Sequence, residues 1–243
     1  MLTLSSVKLN RRPTRPRDYE WRWGGADGSQ SEFRAIAAVA EQFIQNPPVL
    51  RDYFGAFPHR KDDDAVMTGA RGALSQHVIF GLARTLGFTN YLEVGTRYAY
   101  SIGAAIAGSR RIRHAVTVDP FVEPQHTLDN LATLNREQVK IDAVQQMSSD
   151  FDTPDRFDAV YVDGDHSYEV ALADVVKYWQ YVRPGGLMLV DDTVNNRGDA
   201  VARRDLIGVY WAVKDFLDRT DDVAAAVLKL PTYSGFAIIQ KQG

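Results

Sequence analysis

Cysteine is missing from this chain. That rules out disulfides and a thiol nucleophile, and it fits a reducing compartment, so a cytoplasmic location is expected. Long apolar runs are missing too: none approaches the roughly 18–20 residues of a membrane span. The opening stretch lacks the apolar h-region of a secretory signal. Nor is there an excess of basic charge. The formal net charge is −3, whereas a generic nucleic-acid binder needs a basic surface. Internal repeats and low-complexity segments are also absent. What remains is 243 residues, 45% of them hydrophobic. That is enough for a proper core in one large domain, or in one domain with an appendage.

The most informative stretch is 157–192, FDAVYVDGDHSYEVALADVVKYWQYVRPGGLMLVDD. Two short apolar runs, 159–162 and 187–190, read as buried parallel strands. Residues 167–182 between them have helical spacing. Val170, Val175, Tyr178, Trp179 and Val182 are the expected buried stripe, and Pro184-Gly185-Gly186 is the stop. Acids gather where the strands end: Asp163 and Asp165 after the first, Asp191 and Asp192 after the second. In open parallel sheets this edge is where ligands bind. Four carboxylates in one place repel unless a cation sits among them. A hard divalent ion such as Mg²⁺ is the simplest choice. The competing reading is that some of these acids are solvated or cap a helix; Asp165 or Ser167 would suit the cap of the following helix.

The rest of the chain divides in three. Residues 1–30 read as a flexible basic and aromatic arm, with Arg11, Arg12, Arg15, Arg17 and Arg22 among prolines and with Tyr19, Trp21 and Trp23. Such an arm either stays loose or packs on a partner subunit or over the site. Residues 31–72 read as a helical cover. Ser31 would cap a helix carrying Phe33, Ile36, Ala40 and Phe43, and Asn46-Pro47-Pro48 would end it. Residues 73–243 hold the sheet. His59 and His77 are lone histidines and read as structural.

Within 73–243, residues 73–86 read as a helix with Gly87 at its C′ position. An apolar strand then ends in Glu93-Val94-Gly95, followed by a tight turn through Thr96 and a helix capped by Ser101. Gly95 lets the backbone approach a ligand closely, and the helix N-terminus offers N–H groups to an anionic group. Residues 114–119 form a second strand ending in Asp119, an acid placed to bind ribose hydroxyls. Residues 139–144 form a third strand, followed by the loop of Met147 and Ser148. A helix over 206–217 and strands at 224–230 and 236–240 complete the pattern. The fold class expected is α/β: a Rossmann-like, seven-stranded, mostly parallel sheet with a C-terminal antiparallel hairpin, plus the N-terminal helical cover.

Leu92-Glu93-Val94-Gly95 to Ser101, Asp119, VDGDHSYE and PGGLMLVDD resemble class I S-adenosylmethionine-dependent methyltransferases. More narrowly, they resemble the metal-dependent O-methyltransferases of the catechol and caffeoyl-CoA type and of bacterial sugar and antibiotic pathways. The resemblance covers roughly residues 73–240. It implies that Glu93, Gly95, Thr96 and Ser101 hold the methionine end of S-adenosylmethionine and that Asp119 binds the ribose. It places Met147 and Ser148 beside the adenine and Asp163 at the cofactor's edge. It makes Asp163, Asp191 and Asp192 the ligands of Mg²⁺ or another divalent cation. His166 stands where caffeoyl-CoA enzymes carry a lysine near the reacting hydroxyl, and Asp165 matches the base proposed for some sugar-modifying relatives; both are candidate proton acceptors. One departure is Ala99, where the cofactor turn usually has a glycine, beside the bulky Arg97 and Tyr98.

The reaction implied is an in-line methyl displacement from a sulfonium, in which alignment alone can supply up to roughly 7–11 kcal/mol. The expected acceptor is a small hydroxylated molecule (sugar, polyketide, antibiotic or catechol-like) in specialised metabolism, and a homodimer is expected. No nucleic-acid or membrane partner is expected. The rival readings are a member that binds the cofactor without turnover, a metal-independent or N-methyltransferase, and a nucleotide-dependent oxidoreductase. The last would want a GxGxxG turn, and here only Gly95 is present.

Overall fold

Successive side chains of a strand point to opposite faces, so a buried parallel sheet needs a core on each side. A computed structural model gives this arrangement over residues 22–23, 29–62, 64–68, 74–193, 204–221, 223–230 and 235–242. The arm 1–30, apart from residues 22–23 and 29–30, lies outside these residues, as do the loop after Thr193 and the connection 231–234. The strands are β1 (Arg22–Trp23), β2 (Asn90–Val94), β3 (His114–Val118), β4 (Lys140–Val144), β5 (Phe157–Val162), β6 (Val182–Val190), β7 (Val223–Lys229) and β8 (Gly235–Lys241). Their order in the sheet is β1-β7-β8-β6-β5-β2-β3-β4. Strands β2 to β6 pair in parallel, and β8 runs antiparallel between β6 and β7. The expected seven-stranded sheet is therefore β2–β8, and the two-residue β1 extends its edge along β7.

The helices are α1 (Ser29–Gln45), α2 (Arg51–Phe54), α3 (Ala65–Thr68), α4 (Ser75–Leu86), α5 (Tyr100–Gly108), α6 (Pro124–Ala132), α7 (Tyr168–Trp179) and α8 (Arg204–Leu217). On one face of the sheet Tyr91, Ala159, Tyr161, Leu187 and Leu189 pack with α1, α4, α5 and the cover residues Leu50, Phe54 and Phe57. On the other face Leu92, Val160, Val162, Met188 and Val190 pack with α7 and α8. Each fully buried aliphatic side chain contributes about 1.5–3 kcal/mol. The cover thus shares the core of the first face. Gly87 does cap α4, with φ 68° and its N–H donated to the Ala83 carbonyl.

Three local readings are corrected. Helix α7 ends at Trp179, not Val182, because Val182 already pairs with Phe157 at the start of β6. Pro184-Gly185-Gly186 is therefore an irregularity inside β6 rather than a helix stop. Proline has no N–H to give a ladder and is tolerated where the register shifts. In the expected stripe, Val175 and Tyr178 are buried but Val170 is exposed; Ala171 and Asp174 complete the buried face. In α5, Ser101 is not the cap: the helix begins at Tyr100, and Ala99 occupies the cap position in a left-handed conformation, φ 60°.

Candidate functional site

The ends of the parallel strands are stitched one residue beyond the ladder. The N–H of Gly95 donates to the Val118 carbonyl (3.0 Å), that of Asp163 to Val94 (2.9 Å) and that of Asp191 to Val162 (3.1 Å). Asp119, Asp163 and Asp191 therefore leave the sheet at one edge, as expected.

The turn after β2 is built from constrained backbone. Gly95 has φ 89°, and a Cβ placed there would lie 2.0 Å from the Asp163 carbonyl oxygen. Arg97 and Ala99 also hold positive φ, 47° and 60°, an unfavourable region for residues with a Cβ. Such strain persists only where the surroundings enforce it, and it gathers at ligand sites. Asp119 does the enforcing. Its Oδ2 accepts the N–H of Thr96 (2.9 Å) and, at 3.4 Å, that of Arg97; its Oδ1 accepts those of Phe121 (2.8 Å) and Val122 (3.2 Å). One carboxylate thus shapes both the turn after β2 and the loop after β3.

Beneath the turn, Glu93 is fully buried. Its Oε1 accepts the Thr117 hydroxyl (2.9 Å), which in turn contacts Thr96 Oγ1. Its Oε2 has no partner at hydrogen-bonding geometry. Burial pushes the Glu93 pKa up to about 8, although the Ser101 and Thr117 hydroxyls pull it down. Once ionised, this buried acid suits a cationic ligand, and S-adenosylmethionine carries both an ammonium and a sulfonium. Ser101 is buried in the first turn of α5. Met147 is half exposed in the loop after β4. That loop is held by Lys177 Nζ and the Tyr178 hydroxyl, which donate to the Ser148 carbonyl (3.0 and 3.1 Å).

The second half of the site lies after β5 and β6. Asp163, His166 and Asp192 each present one ligand atom, and the three atoms lie within 4.8 Å of one another. His166 Nε2 is 3.3 Å from Asp192 Oδ2 and 4.0 Å from Asp163 Oδ1. Asp163 and Asp192 of the expected set belong to this group with His166, and Asp191 lies beside them, within reach of the charges of both. Strand alternation explains the difference. Asp191 continues the face of Leu187 and Leu189, so it turns inward and accepts the Tyr161 hydroxyl at 2.8 Å. Asp192 leaves the strand with φ 53° and faces His166. Burial, then the charges of Asp163 and Asp192, hold Asp191 well above the usual carboxylate range. Two carboxylates and an imidazole fit a divalent cation of the Mg²⁺ or Mn²⁺ kind, with the imidazole favouring the latter.

Asp165 leans on Ser167, the N-cap residue of α7, which makes no side-chain cap bond of its own. Asp165 Oδ1 accepts the Ser167 N–H at 2.7 Å at the head of α7, and the Ser167 hydroxyl and N–H hold its carboxyl below the usual range. Helix α8 presses on the same loop: a Cβ at Gly208 would lie 2.2 Å from the His166 carbonyl. His77 accepts the Leu74 N–H on Nδ1 (2.9 Å), and His59 Nε2 pairs with Asp129 at 3.1 Å, both structural contacts as expected. The sequence reading missed Tyr161 and Ser75. Only the oddity of a tyrosine two residues before Asp163, in an otherwise aliphatic run, signalled them.

Residues 92–193 match the family model described as a methyltransferase domain, a stretch that includes every candidate cofactor and cation residue named above. That stretch is thus similar to a methyltransferase domain, and it lies on a Rossmann-like fold shared with solved methyltransferases. The chain resembles an O-methyltransferase from Bacillus cereus solved with S-adenosylhomocysteine, at TM-score 0.60 and 18% identity, over 86% of this chain and 99% of that one. It also resembles the O-methyltransferase TomG of Streptomyces achromogenes, involved in tomaymycin synthesis and solved with S-adenosylmethionine, at TM-score 0.59 and 22% identity, over 86% and 96%. A curated relative, an uncharacterized protein of Acanthamoeba polyphaga mimivirus, is 26% identical over 138 residues, 52% of this chain. The match spans 62% of that relative's length.

Proposed function

We propose that this protein is an S-adenosylmethionine-dependent O-methyltransferase that uses a divalent cation and acts on a small acceptor with two neighbouring oxygens, such as a sugar, polyketide or catechol-like diol. The observation that carries the reading is the contact of the two half-sites. The strained cofactor turn at Gly95 packs directly on Asp163, the first member of the acid–imidazole cluster. S-adenosylmethionine, when bound, supplies an electrophilic methyl group, and a divalent cation, when bound, supplies Lewis acidity to the acceptor oxygen. The chain's part is positioning. Glu93, Gly95, Thr96 and Ser101 receive the methionine end. Asp119 fixes the turn and offers its oxygens to the ribose, and Met147 and Ser148 border the adenine. Asp163, Asp192 and His166 would hold the cation, with Asp191 behind them. TomG's role in tomaymycin synthesis supports a place in specialised metabolism. The cytoplasmic location, the dimer and the roles of residues 1–30 and 31–72 belong to the same proposal.

A second reading is favoured by the 3.3 Å approach of His166 to Asp192, the geometry of a base oriented by an acid. In that reading Asp192 holds the Nε2 proton of His166, and the other ring nitrogen, Nδ1, takes the acceptor's proton without a cation. Asp165, held ionised by Ser167, is the weaker acceptor of the two. Transfer of a labelled methyl group to a panel of vicinal diols and catechols, with and without chelator, tests the reading. Chelator-sensitive transfer restored by Mg²⁺ or Mn²⁺ supports the first reading. Chelator-resistant transfer that falls about 10²–10⁴-fold in His166→Ala supports the second.

A further inference from the structure

We infer that Tyr161, held by Ser75, is a positioning residue that sets the Asp163 carboxylate for cation binding. The inference deepens the cation reading above and rests on it. Tyr161 is fully buried on the first face of the sheet, a costly place for a hydroxyl without partners. It has three oxygens within reach: Asp191 Oδ2 at 2.8 Å, Asp163 Oδ2 at 3.1 Å and Ser75 Oγ at 3.4 Å. One phenol carries one proton, so it donates to one carboxylate at a time while the other stays in van der Waals reach. The Ser75 hydroxyl comes from the first residue of α4, a helix of the layer packed on that same face.

The arrangement divides the work of Asp163. When the phenol donates to Asp163, Oδ2 is tied inward and Oδ1 is left facing His166 at 4.0 Å. Without the phenol hydroxyl, Asp163 loses its inward donor among these contacts, and the Ser75 hydroxyl remains for Asp191. Groups that orient a metal's ligands in this way are typically worth about 10–100-fold in metal affinity. Tyr161 lies beside Glu93 in the β2–β5 ladder, but its hydroxyl contacts run to Asp191, Asp163 and Ser75 rather than to the turn, so the larger effect should fall on the cation.

The test is Tyr161→Phe, which removes one oxygen and keeps the ring. Mn²⁺ and S-adenosylhomocysteine are titrated separately by calorimetry into wild type and variant, with the far-ultraviolet spectrum as a check of folding. The expected result is Mn²⁺ affinity lower by about 10–100-fold and S-adenosylhomocysteine affinity within about twofold of wild type. Ser75→Ala, which leaves the phenol unanchored, should weaken Mn²⁺ in the same direction by a smaller factor, and it serves alone if Tyr161→Phe does not fold. Wild-type Mn²⁺ affinity in a folded variant overturns the inference and leaves the cation reading standing. Equal losses for both ligands also overturn it, since they mark a merely structural role. No Mn²⁺ binding by the wild type overturns the cation reading and this inference together.

Discussion

Gly95 and Asp163 meet backbone to backbone: a methyl group on Gly95 would sit 2.0 Å from the Asp163 carbonyl oxygen. The cofactor turn and the acid cluster are therefore in direct backbone contact. Gly95→Ala violates both that contact and the φ of 89°. It should cost about 2–4 kcal/mol of stability, as an overpacked core site with an unsuitable dihedral does. S-adenosylhomocysteine binding should be lost with it. Thermal unfolding and calorimetry on the variant check both.

Asp119 organises four backbone N–H groups of the turn and the next loop. Asp119→Ala should weaken S-adenosylhomocysteine by about 1.5–3 kcal/mol, the scale of a lost hydrogen bond to a charged group. Asp119→Asn, which keeps one acceptor oxygen, should lose less. Unchanged affinity in the alanine variant would remove Asp119 from the cofactor site.

The buried Glu93 gives stability a pH dependence of its own. Its folded pKa, pushed up by burial to about 8, lies above the unfolded value near 4.3. Between these two the folded state holds the extra proton, so this group's contribution falls as pH rises from about 4.5 to 8. Glu93→Gln should flatten that stretch of the Tm–pH curve and raise Tm at pH 8. A variant curve parallel to the wild type would show that Glu93 is not protonated in the fold.

Asp158 works with the opposite sign. It sits at the foot of β5 and accepts the N–H of Thr89 and of Asn90, the Thr89 hydroxyl and the Arg183 guanidinium. Burial opposes its ionisation, but these donors prevail and hold its carboxyl below the usual range. Its stabilisation is present above the unfolded pKa near 3.9 and is lost as pH falls through the folded value. Asp158→Ala should cost about 3 kcal/mol at pH 7, since it leaves several donors unpaired. The penalty should shrink below pH 4 in denaturant titrations.

The strands and their order of use were legible because β-branched runs bounded by turn residues have few other solutions; the two runs flanking α7 are the clearest case. The boundary at Trp179 was not, since Tyr181 and Val182 continue a helical spacing and only pairing with Phe157 turns them into strand. The acid edge was legible as an edge but not in its detail. Whether Asp191 or Asp192 faces the ligand depends on which sheet face the last strand residue occupies, and two adjacent aspartates read alike in sequence. His166 was legible as chemistry, but its place in the cluster depends on the loop that Gly208 of α8 presses against.

The central claim is that a cofactor turn and a cation cluster form one transfer site. Calorimetric titration of S-adenosylhomocysteine and then Mn²⁺ into the wild type and into Asp192→Gly tests it most directly. Glycine accepts the φ of 53° at that position without strain, so only the carboxylate is removed. The account predicts one equivalent of each ligand in the wild type, and in the variant unchanged S-adenosylhomocysteine binding with Mn²⁺ binding abolished. A wild type that binds no S-adenosylhomocysteine, or a variant that still takes up Mn²⁺ with wild-type affinity, would contradict it.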